Sequence, residues 1–395
     1  MNQTTRTLHD YWVIFIIATR LGLTSFGGPI AHLGYFHEEY VRRKKWLDEK
    51  SYADLVALCQ FLPGPASSQV GIGVGIIRGG IFGGILAFLG FTLPSVIVLI
   101  LFALAVHQFS IGDASFIHGL KIVAVAVVAH AIMGMGSKLT PDLQRKAIAL
   151  IAIAAMLFWQ STLTQVVIII GAAIIGIIFF QNKATSDETT AKLFLSKKVA
   201  IISISLFFIL LIILPILSQV IDSKWIQMFD SFYRSGALVF GGGHVVLPLL
   251  EQEFVPTGWI TEQEFLAGYG AAQAVPGPLF TFAAYIGTVI GGVAGGLVAT
   301  VAIFLPAFLL IIGTLPFWHA LRHFAKIRGA LLAVNAAVVG ILIAAFYQPI
   351  WISTIIEAKD FVFAVILFSL LAFWKVPSWV IVIIGIIGGM ALPYI

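Results

Sequence analysis

The feature that most constrains this chain is an almost unbroken succession of apolar stretches along its 395 residues. They fall at about 11–36, 51–78, 79–106, 115–137, 146–159, 163–181 and 199–219. A second set follows at about 226–250, 262–290, 291–318, 328–347, 361–374 and 377–394. Most reach the length of a helix crossing a hydrocarbon core, about 20 residues. Charge is correspondingly scarce, at 10% of residues against about 25% in a typical soluble domain. The sequence therefore reads as an all-α polytopic membrane protein, and a string of soluble domains is excluded. The first apolar run, Tyr11 to Ala18, is short, leads into Arg20 and lacks a small-residue cleavage site, so no cleavable signal is expected. The single cysteine, Cys59, cannot form an internal disulfide and fits no paired-cysteine metal or redox spacing. The net charge of +5 is the signature of basic loops that orient a membrane protein, not of a nucleic-acid partner.

The two sets of segments repeat one another. Residues 20–31, RLGLTSFGGPIA, align with 234–245, RSGALVFGGGHV. Gln60 followed by Pro63-Gly64-Pro65 matches Gln273 followed by Pro276-Gly277-Pro278. Gly79-Gly80 and Gly83-Gly84 match Gly291-Gly292 and Gly295-Gly296, and Leu93-Pro94 matches Leu305-Pro306. The glycine runs have the small-residue spacing of closely packed helices. The pattern predicts a first repeat over 1–181, a polar linker plus connecting transmembrane helix over 182–225, and a second repeat over 226–395. The one extra crossing between equal units would invert the second repeat relative to the first, a recurrent transporter architecture.

Basic residues suggest the topology. With all thirteen segments crossing, Lys and Arg outside the segments divide thirteen against seven. With the first two segments of each half entering and leaving on one side, they divide eighteen against two, only Lys224 and Lys359 lying opposite. The positive-inside rule then puts the amino terminus in the cytoplasm and the carboxyl terminus outside. Thirteen full crossings give the same termini and stay open as the alternative. The four segments concerned carry breaks at Phe26-Gly27-Gly28-Pro29, Pro63-Gly64-Pro65, Phe240-Gly241-Gly242-Gly243 and Pro276-Gly277-Pro278. The fold expected is two inverted homologous repeats with broken or re-entrant helices at these motifs.

A helix interrupted at membrane depth is tolerated only where protein or a wet cavity covers its free backbone groups. The half-helix beyond a break presents N–H groups and a positive dipole end, a ready-made anion site. Arg20 and Arg234 each lie six residues before a break. A charge in hydrocarbon needs a partner; an anionic substrate, an acid, a carbonyl or a snorkelled position would each serve. The candidate substrate-binding set is Arg20, Phe26, Gly27, Gly28, Gln60, Pro63, Gly64, Pro65, Arg234, Gly241, Gly242, Gly243, His244, Gln273, Pro276, Gly277 and Pro278. Gln60 and Gln273 would line the same cavity or bond between helices. His244 would bind substrate, relay a proton or simply pack. No catalytic residue, metal site or cofactor is expected.

At the paired motifs, Phe26-Gly27-Gly28-Pro29 with Gln60-Phe-Leu-Pro63-Gly64-Pro65, and Phe240-Gly241-Gly242-Gly243-His244 with Gln273-Ala-Val-Pro276-Gly277-Pro278, the chain resembles the chromate transporter family, in its long two-domain form. The resemblance covers essentially the whole chain. It implies outward movement of chromate, a divalent tetrahedral oxyanion, across the bacterial inner membrane, with sulfate as the isosteric competitor. One departure is Gly243 where the first repeat has Pro29.

A secondary transporter driven by membrane potential or a proton gradient is the leading function class. No Walker-type loop is present to make ATP the direct energy source. A sulfate or other oxyanion transporter and an anion channel of the same fold are the alternatives. An intramembrane enzyme is disfavoured, because acids such as Glu38, Glu39, Asp48, Glu251, Glu253 and Glu262 sit in the loops rather than at membrane depth. Membrane lipid is the expected surrounding partner, and a homodimer is compatible with the sequence.

Overall fold

The computed structural model describes residues 8–26, 28–108, 115–159, 162–180, 196–240, 246–317 and 325–392. Among these residues the secondary structure is helical throughout, without strands. The chain forms two compact units. Unit 1 comprises residues 1–101, 186–243 and 276–321; unit 2 comprises 102–185, 244–275 and 322–395. Each unit therefore draws on both halves of the sequence.

Unit 1 opens with α1 (Leu8–Thr24), α2 (Gly28–Phe36) and a π-helical turn (His37–Arg43), followed by α3 (Glu49–Phe61). The Asp48 side chain caps α3 by accepting from the Ser51 N–H at 2.8 Å. With 9 and 13 residues, α2 and α3 fall well short of the roughly 20 needed to cross a membrane.

Next comes α4 (Ala66–Gln108), interrupted by Gly80 at φ 67°, ψ −165°. On a straight helix rising 1.5 Å per residue, positions 75 and 83 would stand about 12 Å apart. Instead a Cβ added at Gly75 would meet the Gly83 carbonyl oxygen and the Ala87 side chain. The chain therefore turns back at Gly80, where a left-handed φ suits glycine alone. α12 (Phe282–Thr314) does the same at Gly291 and Gly292, bringing Gly287 against Gly295 and Ala299. The glycine runs thus serve both as the turn and as the close helix contact, and the apolar stretches divide at these turns.

Unit 1 is completed by α8 (Lys197–Val220) and α9 (Lys224–Leu238), both packed on α12. Lys224 Nζ donates to the Ile290 carbonyl at 2.8 Å, satisfying a backbone acceptor freed by the α12 turn. The α8 side chains Ile202, Phe208, Ile212 and Ile216 are more than half exposed. A helix that turns such residues outward has lipid as its environment.

Unit 2 contains α5 (Ser115–Leu139), α6 (Leu143–Phe158), α7 (Thr162–Phe179), α10 (Val246–Phe254) and α11 (Glu262–Ala274). It closes with α13 (Ala325–Ala345), α14 (Ala358–Ala372) and α15 (Ser378–Ala391). α13 lies against α5, α6 and α7, while α5 also packs on α14 and α15. Glycines allow these approaches: Gly176 abuts Gly329, Gly340 meets Ala149, and Gly119 meets Gly385. Thr261 and Glu264 form a capping box at the start of α11.

Candidate functional site

Three of the four sequence breaks lie within the described residues, except for Gly27, and the lead-in to the fourth is described up to Phe240. α1 ends as the Ser25 N–H donates to the Leu21 carbonyl at 2.8 Å, and α2 begins at Gly28 with φ 76°. The Pro63-Gly64-Pro65 turn separates α3 from α4, and Pro276-Gly277-Pro278 separates α11 from a 3₁₀ turn (Leu279–Thr281) that leads into α12.

These breaks are stitched together reciprocally inside unit 1. Gly64 N–H donates to the Val239 carbonyl at 2.6 Å, one residue before the second FGG motif. Gly277 N–H donates to the Ser25 carbonyl at 3.0 Å, one residue before the first. Each proline–glycine–proline turn of one repeat thus satisfies the broken helix of the other. Gly64 and Gly277 hold φ 112° and 107°, a region that side chains with a Cβ avoid. Carbonyls within these turns also find partners: Gln69 Nε2 donates to Pro63 O at 2.8 Å, and Thr281 Oγ1 donates to Pro278 O at 2.7 Å. Backbone groups that lipid could not satisfy are therefore covered by protein.

The expected cations stand apart from this knot of turns in their bonding. Arg20 is half exposed and ion-paired with the buried carboxylate of Glu39, which Arg43 also approaches at 3.8 Å. Arg234 Nε pairs with the buried Asp230 at 3.1 Å. Both arginines therefore meet acids, one of the partners the sequence left open. Gln60 is exposed on α3. Gln273, in unit 2, is half buried beside Tyr269. Phe26 is half buried. Gly27, Gly241, Gly242, Gly243 and His244 lie outside the described residues.

A set of polar residues that sequence reasoning missed surrounds the first break. His32 on α2 is buried, and its Nδ1 lies 3.2 Å from Ser67 Oγ in the first turn of α4. Its ring meets Phe91 edge to face at 5.4 Å, and the Ser25 carbonyl lies against it. Ser95 Oγ donates to Thr92 O at 3.0 Å and lies 2.9 Å from where a Cβ on Gly277 would be. The signal available in the sequence was Ser67-Ser68-Gln69, three polar residues opening an otherwise apolar run.

In unit 2, beyond the apolar segment ending at 250, burial and then the neighbouring charge of Glu262 push the Glu251 carboxyl up from 4.5 to about 7. Between those values the folded chain holds a proton that the unfolded chain releases. Stability conferred by this group is therefore greatest below pH 4.5, falls as pH rises, and levels off above about 7. Replacing Glu251 with Gln is expected to flatten the pH dependence of the unfolding temperature across that window, measured on detergent-purified protein. An unchanged profile would remove Glu251 as its source.

Apolar helices of membrane-spanning length, interrupted by half-length helices whose breaks are sealed by protein, define a multi-pass membrane protein of the transporter class. The chromate transporter family model matches residues 12–177 and again 226–390, so the chain belongs to that family. It is 28% identical over 346 residues to the chromate transport protein of Pseudomonas aeruginosa, covering 84% of this chain and 79% of that protein. It is 26% identical over 404 residues to the chromate transport protein of Cupriavidus metallidurans, covering 98% and 94%. An uncharacterized transporter of Methanocaldococcus jannaschii is 28% identical over 380 residues, covering 94% and 88%. No solved structure matches the chain.

Proposed function

We propose that the protein is a secondary transporter that moves chromate out of the cytoplasm, with sulfate as competitor. The observation that carries this reading is the reciprocal stitching of the two broken regions through Gly64 and Val239 and through Gly277 and Ser25. It sets the amino end of α4, whose first N–H groups have no intrahelical acceptors, beside the first repeat's break, where an oxyanion is favoured. The chemistry of the named relatives supplies the substrate. On this reading residues 1–181 and 226–395 are inverted repeats joined through 182–225, their proline–glycine–proline and FGG segments are re-entrant, and rocking of one against the other gives alternating access. The amino terminus is cytoplasmic, the carboxyl terminus is outside, and the membrane is the bacterial inner membrane. An inside-negative potential then drives export.

The test is flux of labelled chromate and sulfate in proteoliposomes under an imposed potential. Each charge gains about 2.3 kcal/mol per 100 mV, so a dianion moving alone should reach a gradient of roughly 10³-fold at that potential. Sulfate should slow chromate. Flux of neither anion would refute the substrate, and flux indifferent to potential would refute its driving force.

A further inference from the structure

Buried polar atoms without partners mark where a protein expects something else to bond. Among the described residues two such atoms sit together at the first break. Ser25 is fully buried and His32 is 1% exposed, and neither Ser25 Oγ nor His32 Nε2 has a hydrogen-bond partner. The two residues are neighbours: the Ser25 carbonyl lies close enough to the imidazole to attract its N–H, yet outside hydrogen-bond geometry at Nε2. The other ring nitrogen, Nδ1, is held at 3.2 Å by Ser67 Oγ, which belongs to the first turn of α4. When Ser67 donates to Nδ1, the ring proton is on Nε2. An imidazole donor and a serine hydroxyl then stand unfilled beside a helix amino end, whose first N–H groups also lack intrahelical acceptors. Ser68, in the same turn, is buried with its Oγ unpartnered as well.

We infer that Ser25 Oγ and His32 Nε2 are direct ligands of the transported anion, donating hydrogen bonds to a divalent tetrahedral oxyanion at the amino end of α4. This rests on the reading of the protein as an oxyanion transporter and names the groups that hold the substrate. The site binds with neutral donors. Arg20 and Arg234 are already committed to Glu39 and Asp230, so neither brings an uncompensated charge. Neutral donors backed by a helix dipole hold a dianion without the electrostatic trap of buried cations, which suits a substrate that must leave again. Chromate and sulfate present only acceptor oxygens, which matches a site built from donors. Val239 and Ser25 carbonyls would repel the anion, but each is occupied by a glycine N–H.

The experiment is equilibrium binding of labelled chromate and labelled sulfate to the full-length protein in detergent, with unfolding temperatures measured in parallel. Ser25→Ala should weaken chromate binding about tenfold, the loss of one charge-assisted hydrogen bond. His32→Gln should weaken it at least as much. Unfolding temperature without anion should stay level or rise for Ser25→Ala, because an unpartnered buried hydroxyl is removed, while the rise that chromate gives the parent should shrink. A residue of purely structural importance would lower the first and leave the second. Parent-like chromate affinity in Ser25→Ala, or in His32→Gln, would overturn the assignment of that ligand. Should His32→Gln fail to fold, Ser25→Ala alone decides. Failure of the unaltered protein to bind either anion would instead defeat the underlying functional reading.

Discussion

Replacing Gly64 and Gly277 together by alanine is expected to abolish anion flux and to lower the unfolding temperature markedly. Both residues occupy positive φ, at 112° and 107°, and backbone held in such regions costs of order 1–3 kcal/mol per residue once a Cβ is present. Space adds to the conformational cost. A Cβ at Gly277 would lie 2.9 Å from Ser95 Oγ and one at Gly64 would lie 3.2 Å from Gln69 Nε2. Relaxing either residue toward negative φ would swing its N–H away from the carbonyl it serves, Ser25 for Gly277 and Val239 for Gly64. The two changes act on one hydrogen-bonded knot, so their effects should depart from the sum of the single variants. The measurements are thermal unfolding in detergent and flux in proteoliposomes. A double-alanine protein with parental unfolding temperature and flux would show that the reciprocal stitching is dispensable.

The second large effect concerns Arg20. Its partner Glu39 has a side chain 4% exposed, and stripping the cation strands that charge; the cost is about 3–5 kcal/mol in a fully buried pair and less here, because Arg20 is half exposed to screening solvent. Arg43, at 3.8 Å from the same carboxylate, will offset part of that. Arg20→Gln should therefore sharply reduce the yield of folded protein, and Arg20→Gln with Glu39→Gln should restore it. Flux in the double variant then separates two roles: a folded, active protein assigns Arg20 to charge balance, and a folded, inactive one assigns it to the anion. If the single variant folds as well as the parent, the ion pair does not stabilise the protein.

Much of the architecture was legible because membranes impose it. Apolar length announces crossings, and an apolar run cannot carry Pro-Gly-Pro without a break, so the ends of α1, α3, α9 and α11 fall at the motifs. The glycine pairs 79–80 and 291–292 also announced close packing. Their second role as chain reversals needed the left-handed φ of Gly80 and Gly292, which composition does not reveal. The candidate site was legible only in part. Motif glycines and prolines are local in sequence, whereas the acid facing Arg20 and the hydroxyl facing His32 arrive from other helices. The partner of Arg234 was within reach in principle, since Asp230 stands four residues earlier on the same helix face. His32 was overlooked because a single imidazole in an apolar segment gives no periodic signal.

The sequence alone determined that the chain is an all-helical membrane protein, duplicated, and broken at equivalent points in both copies. These properties follow from hydrophobic length, repetition and the backbone chemistry of glycine and proline, all of which act locally. Tertiary structure alone decided that Gly64 bonds to Val239 and Gly277 to Ser25, and that Arg20 is neutralised by Glu39. It also left the Ser25 hydroxyl and Nε2 of the His32 ring buried without hydrogen-bond partners. The physical reason is that hydrogen bonds and ion pairs between distant segments depend on how helices pack, and packing brings together residues that no spacing in the chain connects.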